Sequence, residues 1–211
     1  MKTDDLIRVL AADTLPEPPV SGRLWSVLLP AVVVTLLANW LALGLRPDLV
    51  QALGNPVSLM RFVLTCALAA VSIRIALGLA RPEGRGVVRF WPLAVVAGAA
   101  LAMLIWAYVA TPAEARQMAT VGKTMWVCLV FIPILSVVPV ATLFWALRRG
   151  ATTAPALAGA VIGLAGSGIA ATIYATHCTE DSPLFYITWY SLAIMGVTMV
   201  SAAIGARVLR W

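Results

Sequence analysis

Six apolar stretches dominate this chain: Trp25 to Leu45, Met60 to Ala80, Trp91 to Ala110, Met125 to Leu147, Pro155 to Thr176 and Phe185 to Ala206. About 20 predominantly apolar residues in a helix cross the hydrocarbon core of a bilayer. Backbone polar groups have no water to bond there, so only helices and closed barrels are viable. The runs are continuous and rich in Ala and Leu rather than alternating, which disfavours a barrel. The expected fold class is therefore an all-α integral membrane protein with six transmembrane helices and both termini cytoplasmic. Its parts are a cytoplasmic N-terminal segment over residues 1–23, with a short amphipathic helix, and a transmembrane domain over 24–211. In a chain of 211 residues that is 62% hydrophobic and 11% charged, a soluble domain of this size is excluded.

The orientation follows from the basic residues. One side collects Lys2, Arg8, Arg23, Arg81, Arg85, Arg89, Arg148, Arg149, Arg207 and Arg210, whereas the other holds Arg46, Arg61, Arg116 and Lys123. The basic-rich side is cytoplasmic by the positive-inside rule, and an even number of spans returns both termini to it. The net charge of +6 is thus a topology signal, and a nucleic-acid surface loses its main support. Arg74, inside the second run, is close enough to its cytoplasmic end to snorkel there. Trp25, Trp91 and Trp126 stand at span ends as interfacial anchors. The first run is too long for a signal-peptide core and follows a polar segment, so it is read as a true span.

Thr3 is placed to cap a short helix with Asp4 and Asp5 in its first turn and Leu6, Ile7, Val9 and Leu10 as an apolar face. Pro16, Pro18 and Pro19 then make a stiff spacer. Such a short helix is marginal alone and orders only against a partner or the membrane. Its three aspartates, Asp4, Asp5 and Asp13, argue against a basic interfacial anchor and for docking to a cytoplasmic protein.

The densest group of reactive side chains is His177-Cys178-Thr179-Glu180-Asp181-Ser182-Pro183. Cys128 near the outer end of the fourth run and Cys178 beyond the outer end of the fifth share one side of the membrane. A short inside loop makes those runs antiparallel neighbours, which makes contact between the sulfurs reasonable. Three readings stand. The pair senses oxidants or metals, it forms a static disulfide, or the thiols are unrelated. His177 with Glu180 or Asp181 would complete a tetrahedral set for a soft or borderline metal. Without a Cys-x-x-Cys, neither a zinc knuckle nor a thioredoxin-type motif is present. Cys66 reads as a small packing residue.

Within the fifth run, Gly159 and Gly163 make a small-xxx-small face for close helix approach. Pro133 and Pro139 should perturb the fourth span. Phe185, Tyr186, Trp189 and Tyr190 read first as anchors of the sixth span, and second as a roof over the outer cysteines.

Three blocks of residues now converge: Met1-Lys2-Thr3-Asp4-Asp5-Leu6-Ile7-Arg8, the central Cys128, Ile132-Pro133, Pro139 and Trp145-Ala146-Leu147-Arg148-Arg149-Gly150, and His177 to Pro183 followed by Trp189-Tyr190. Along essentially its whole length the chain resembles the NrsF-type membrane anti-sigma factors of proteobacteria. The resemblance implies a bacterial inner-membrane protein that restrains an extracytoplasmic-function sigma factor and releases it under thiol-reactive, heavy-metal or oxidative stress. Cys128 and Cys178 match the paired periplasmic cysteines of that family, with transient heavy-metal binding there and no resident cofactor. The candidate sigma contacts are Asp4, Asp5, Leu6, Ile7 and Leu10, joined by Arg148 and Arg149 as an inference from their side of the membrane. The implied partners are the sigma factor and the bilayer, without direct nucleic-acid contact, and the oligomeric state is left open. The competing classes are a membrane thiol/quinone oxidoreductase, which would need a second thiol to resolve mixed disulfides, and a small transporter, which would need a polar midplane.

Overall fold

Local chemistry sets where the helices begin. In the computed structural model, which describes residues 3–12 and 20–210, proline occupies the first or second position of four long helices. Its missing N–H has no helical partner at that point, and its fixed φ suits the first turn. The elements are α1 (Thr3–Ala12), α2 (Val20–Leu43), α3 (Leu49–Gly54), α4 (Pro56–Leu79), α5 (Gly84–Val87), α6 (Trp91–Ala110), α7 (Ala113–Val121), α8 (Met125–Leu147), α9 (Pro155–Tyr174) and α10 (Pro183–Val208). Asn55 caps α4 directly, its Oδ1 accepting from the Val57 N–H at 2.9 Å.

Among the described residues six helices are long and apolar enough to cross a membrane, as the apolar runs require. The first, second and sixth expected runs are longer as helices, and the connections hold the short helices α3, α5 and α7, which hydropathy alone does not mark. A break at Gly122, with φ of +57°, divides α7 from α8. A side chain at Gly122 would also collide with the Phe185 ring, so backbone conformation and space both demand glycine there. α8 runs unbroken through Pro133 and Pro139, although each removes one backbone donor from the helical ladder.

The helix α9 is the hub, packing on α10, α4, α8 and α2. Its small residues make this possible. A Cβ at Gly159 would meet the Ser201 carbonyl and Gly205, one at Gly163 would meet Ser201 and Thr198, and one at Gly168 would meet Ala69 of α4. Helix association in an apolar solvent depends on such close van der Waals packing rather than on expelling water. The small-xxx-small face therefore acts as expected, against α10.

One end of the bundle is basic. Arg81, Arg85, Arg89, Arg148, Arg149, Arg207 and Arg210 are all exposed, and Arg23 stacks over the Trp145 ring at 4.2 Å. Two loops meet there, the Ala151 N–H donating to the Ala80 carbonyl at 2.8 Å. On α1, Asp4, Asp5, Ile7 and Arg8 are exposed, while the side chains of Leu6 and Leu10 and the proline spacer lie outside the described residues. Arg74 is exposed on the outer face of α4.

Filling the α9–α10 notch should loosen the bundle. Gly163→Leu is expected to cost about 1–3 kcal/mol through overpacking, read as a lower melting temperature in detergent, whereas Gly98→Leu, on an open face of α6, should leave the melt nearly unchanged.

Candidate functional site

At the end of the bundle opposite the basic loops, the turn after α9 is held from two sides by arginines. Arg46, just beyond α2, donates from Nη1 to the Cys178 carbonyl at 3.1 Å and to Asp181 Oδ1 at 2.8 Å. It also reaches Asp48 through Nε and Nη2, both at 2.8 Å. Arg61, in the second turn of α4, is 0% exposed. Its Nη1 donates to the Glu180 carbonyl at 3.0 Å, and its Nη2 to the Ala175 carbonyl at 3.4 Å and Asp181 Oδ1 at 3.3 Å. The two guanidiniums thus bind backbone carbonyls on both flanks of Cys178 and share one carboxylate. The Arg46 N–H donates to the Thr176 carbonyl at 3.0 Å and completes the clamp.

The electrostatics follow. Burial alone would raise the Asp181 pKa, but its hydrogen bonds to Arg46 and the charges of Arg61 and Arg46 outweigh this and hold it below the ordinary carboxyl value. Asp48, bonded to Arg46, is lowered to about 2. The Arg46 guanidinium is held still more firmly in its charged form by Asp181 and Asp48.

The cysteines lie beneath this clamp. Cys128, in the first turn of α8, and Cys178 are 0% and 2% exposed and belong to one buried cluster. Both are free thiols, so the disulfide is not formed in this structure. The close polar contact of the Cys128 sulfur is the Tyr174 hydroxyl, to which it donates at 3.3 Å. The Cys178 pKa is lowered, chiefly because Cys128 of the same buried cluster favours its thiolate; burial opposes this, and the Arg61 charge adds to the lowering.

The metal set envisaged from the sequence is not assembled. Among the described residues no three His, Cys, Asp or Glu side chains converge on one point. Each auxiliary residue is turned elsewhere. His177 uses Nδ1 on the Gly44 carbonyl at 3.2 Å, and because a carbonyl only accepts, that nitrogen carries the proton. Glu180 accepts from the Lys123 N–H at 2.9 Å, and Asp181 is taken by the arginines.

Two further expectations are corrected. Phe185, Tyr186 and Tyr190 are buried in the cysteine cluster and form part of its wall, so they are not interfacial anchors; Trp189 donates to the Thr120 carbonyl at 2.7 Å. The periodicity of α10 places Tyr186 and Tyr190 on one face, a signal that could have found them. Cys66 is exposed rather than packed inside, with Thr172 Oγ1 3.8 Å from its sulfur. Arg46 and Arg61 were counted only for topology, yet an arginine inside an apolar run is itself a signal of function.

Comparison with known proteins adds a second line of findings. The family model described as negative regulator of sigma F, NrsF, matches residues 10–211. The chain is 35% identical over its whole length to the anti-sigma-F factor NrsF of Caulobacter vibrioides and 33% identical to the probable anti-sigma-F factor NrsF of Azospira oryzae, both matched over their full lengths. No solved structure matches.

Asp181→Asn should leave two buried guanidiniums undercompensated. The expected loss is about 3 kcal/mol, the low end for a broken buried pair because the Asp181 side chain is 36% exposed; thermal unfolding in detergent measures it. The carboxylates also set an acid limit. A depressed pKa contributes stability that is full above the unfolded value of 3.8 and drains away as pH falls toward about 2 at Asp48, so a melt series across that window should show a decline that Asp48→Asn flattens. Alkylation of Cys178 should have a midpoint below the ordinary thiol value of about 8.5, and Arg61→Gln should move it upward.

Proposed function

The chain belongs to the NrsF family of negative regulators of sigma F, and on that premise we propose that it is an anti-sigma factor of the bacterial inner membrane. In this reading it sequesters an extracytoplasmic-function sigma factor and releases it when thiol-reactive agents, heavy metals or oxidants reach Cys128 and Cys178. Full-length similarity to proteins named as anti-sigma-F factors supports the regulatory role. The six long apolar helices support the membrane location. The arginine-rich end supports a cytoplasmic assignment for that face by the positive-inside rule, and with it a periplasmic one for the cysteines at the opposite end.

The observation that carries the signalling mechanism is the span of α8. Cys128 lies in its first turn, and Arg148 caps its other end. A reaction at the thiols alters packing beneath the clamp at one end of a helix whose other end presents Arg148 and Arg149. Those arginines, with Asp4, Asp5, Leu6, Ile7 and Leu10 of α1, are the proposed sigma contacts. Joining the thiols as a disulfide removes two hydrogens to an oxidant and draws α8 toward the turn after α9. A soft metal ion would instead bridge the two sulfurs, as thiolate ligands favour. Both events act on the same pair, and neither requires the protein to turn over a substrate.

Cys128→Ser and Cys178→Ser should each change the induced output of a sigma-dependent reporter under oxidant or cadmium challenge. Wild-type induction in both strains would remove the cysteines from the mechanism. Deleting residues 1–13 should free the sigma factor while the spans remain folded; undiminished co-purification of sigma with the truncated protein would rule out α1 as the docking helix.

A further inference from the structure

A cavity of about 260 Å³ opens on the outside of the bundle, between α4 and the segment that leads into α6. Its walls are Val71, Arg74 and Ile75 of α4 with Val88, Arg89 and Pro92. Arg74 and Arg89 are the only charged residues among these, and both are exposed. The ion pairs among the described residues belong to Arg46 and Arg61, so neither wall arginine has a carboxylate there.

Local packing brings the two together. Val71, Arg74 and Gly78 fall on one stripe of α4, at the three- and four-residue spacing of a helix face. The chain turns back through α5, and Val88 then lies so close to α4 that a Cβ at Gly78 would meet its Cγ2 at 2.5 Å. Arg89, the next residue, is thereby carried to the wall of the same cavity as Arg74.

The placement is costly unless something answers the charge. Arg74 stands five residues before the end of α4 at Leu79, about 7.5 Å inside that end of the helix at 1.5 Å per residue. Ionisable groups at membrane depth almost always face the bundle interior or pair with one another. Arg74 does neither, and Arg89 in the same small space repels it. An anion from outside the protein removes both costs. Two guanidinium forks suit phosphate, whose oxygens accept from both at once. Next to Pro92, Trp91 and Val95 of α6 are 63% and 58% exposed and, four residues apart, form one apolar strip. A free phosphate gains nothing from that strip, whereas an acyl chain does. A choline or ethanolamine headgroup would add a third positive charge beside the arginines, which selects a lipid of net negative charge.

We propose that Arg74 and Arg89 bind the phosphate of an anionic phospholipid, its headgroup in this cavity and an acyl chain along Trp91 and Val95. The site rests on the membrane location proposed above, and it involves neither the thiols nor a sigma factor.

The full chain, stripped of endogenous lipid in detergent, is titrated in mixed micelles with radiolabelled dioleoylphosphatidylglycerol. Saturable binding near one per chain is expected, displaced by unlabelled phosphatidylglycerol and not by phosphatidylcholine, inorganic phosphate or oleate. Arg74→Gln and Arg89→Gln should each weaken it about tenfold, as loss of a charge-assisted hydrogen bond does, and Arg74→Lys, which keeps the charge, should recover part of the affinity. Arg85→Gln removes an equal charge from the same loop outside the cavity and should leave binding nearly unchanged. Arg89→Gln, in a loop, keeps the test valid even where Arg74→Gln folds poorly. Equal binding by wild type, Arg89→Gln and Arg85→Gln would overturn the site and leave only general attraction to a basic surface. Displacement by phosphatidylcholine as effective as by phosphatidylglycerol would overturn the charge selection. Displacement by inorganic phosphate would replace the lipid with a free anion, and displacement by oleate would overturn the choice of phosphate. Alkaline washing of cell membranes tests the membrane location separately: a chain released by the wash sinks that location, while a retained chain without selective binding sinks this site alone.

Discussion

A guanidinium with no exposed surface, Arg61, sets the terms for one whole end of this bundle. Removing an ion from water costs several kcal/mol unless charge and hydrogen bonds are returned to it. No acidic side chain on α4 can do so, because the helix carries none. Asp181 supplies the charge and the carbonyls of Ala175 and Glu180 supply acceptors, and all three lie in the turn between α9 and α10. The turn is therefore fixed by electrostatics rather than by its own short sequence. Cys178 sits within it, so the thiol is positioned as a consequence of neutralising an arginine.

A second arginine makes the arrangement tight. Arg46 adds its own charge and brings Asp48, leaving two positive and two negative groups within hydrogen-bond distance of one another. A balanced set of this kind resists small changes in composition, because any one deletion leaves a surplus charge in a poorly solvated place. The thiols beneath are held in a region whose backbone has little freedom to move. A covalent or metal-bridging event between them consequently has to be relieved elsewhere, along α8 or α9.

The six long helices, the pairing of α8 with α9 and the glycine notch of α9 were all legible in the residues, because hydropathy, loop length and small-residue spacing are local properties. So was the neighbourhood of Cys128 and Cys178, which needed only antiparallel adjacency. Partner choice among polar groups was not legible. Asp181 looked like a metal ligand beside His177 and Cys178 in the chain, but three-dimensional proximity to Arg46 and Arg61, 135 and 120 positions away, claims it first. His177 and Glu180 are diverted in the same manner to backbone groups. The tyrosines of α10 were misread because an aromatic at a helix start anchors equally well facing lipid or facing inward; the helical phase, not the residue type, decides.

The place of α9 at the hub also bears on how the molecule is made. The helices α2, α4 and α8 all pack on it, yet it is the fifth long helix in chain order. A growing chain presents its N-terminal part first. The earlier helices must therefore persist without their common partner until Pro155–Tyr174 has been synthesised, and α10 then locks the hub through the Gly159–Gly205 approach. The thiol turn lies between α9 and α10, so the site is completed only once α10 has been made, and a chain cut short before α10 carries Cys128 without the surroundings that give it meaning.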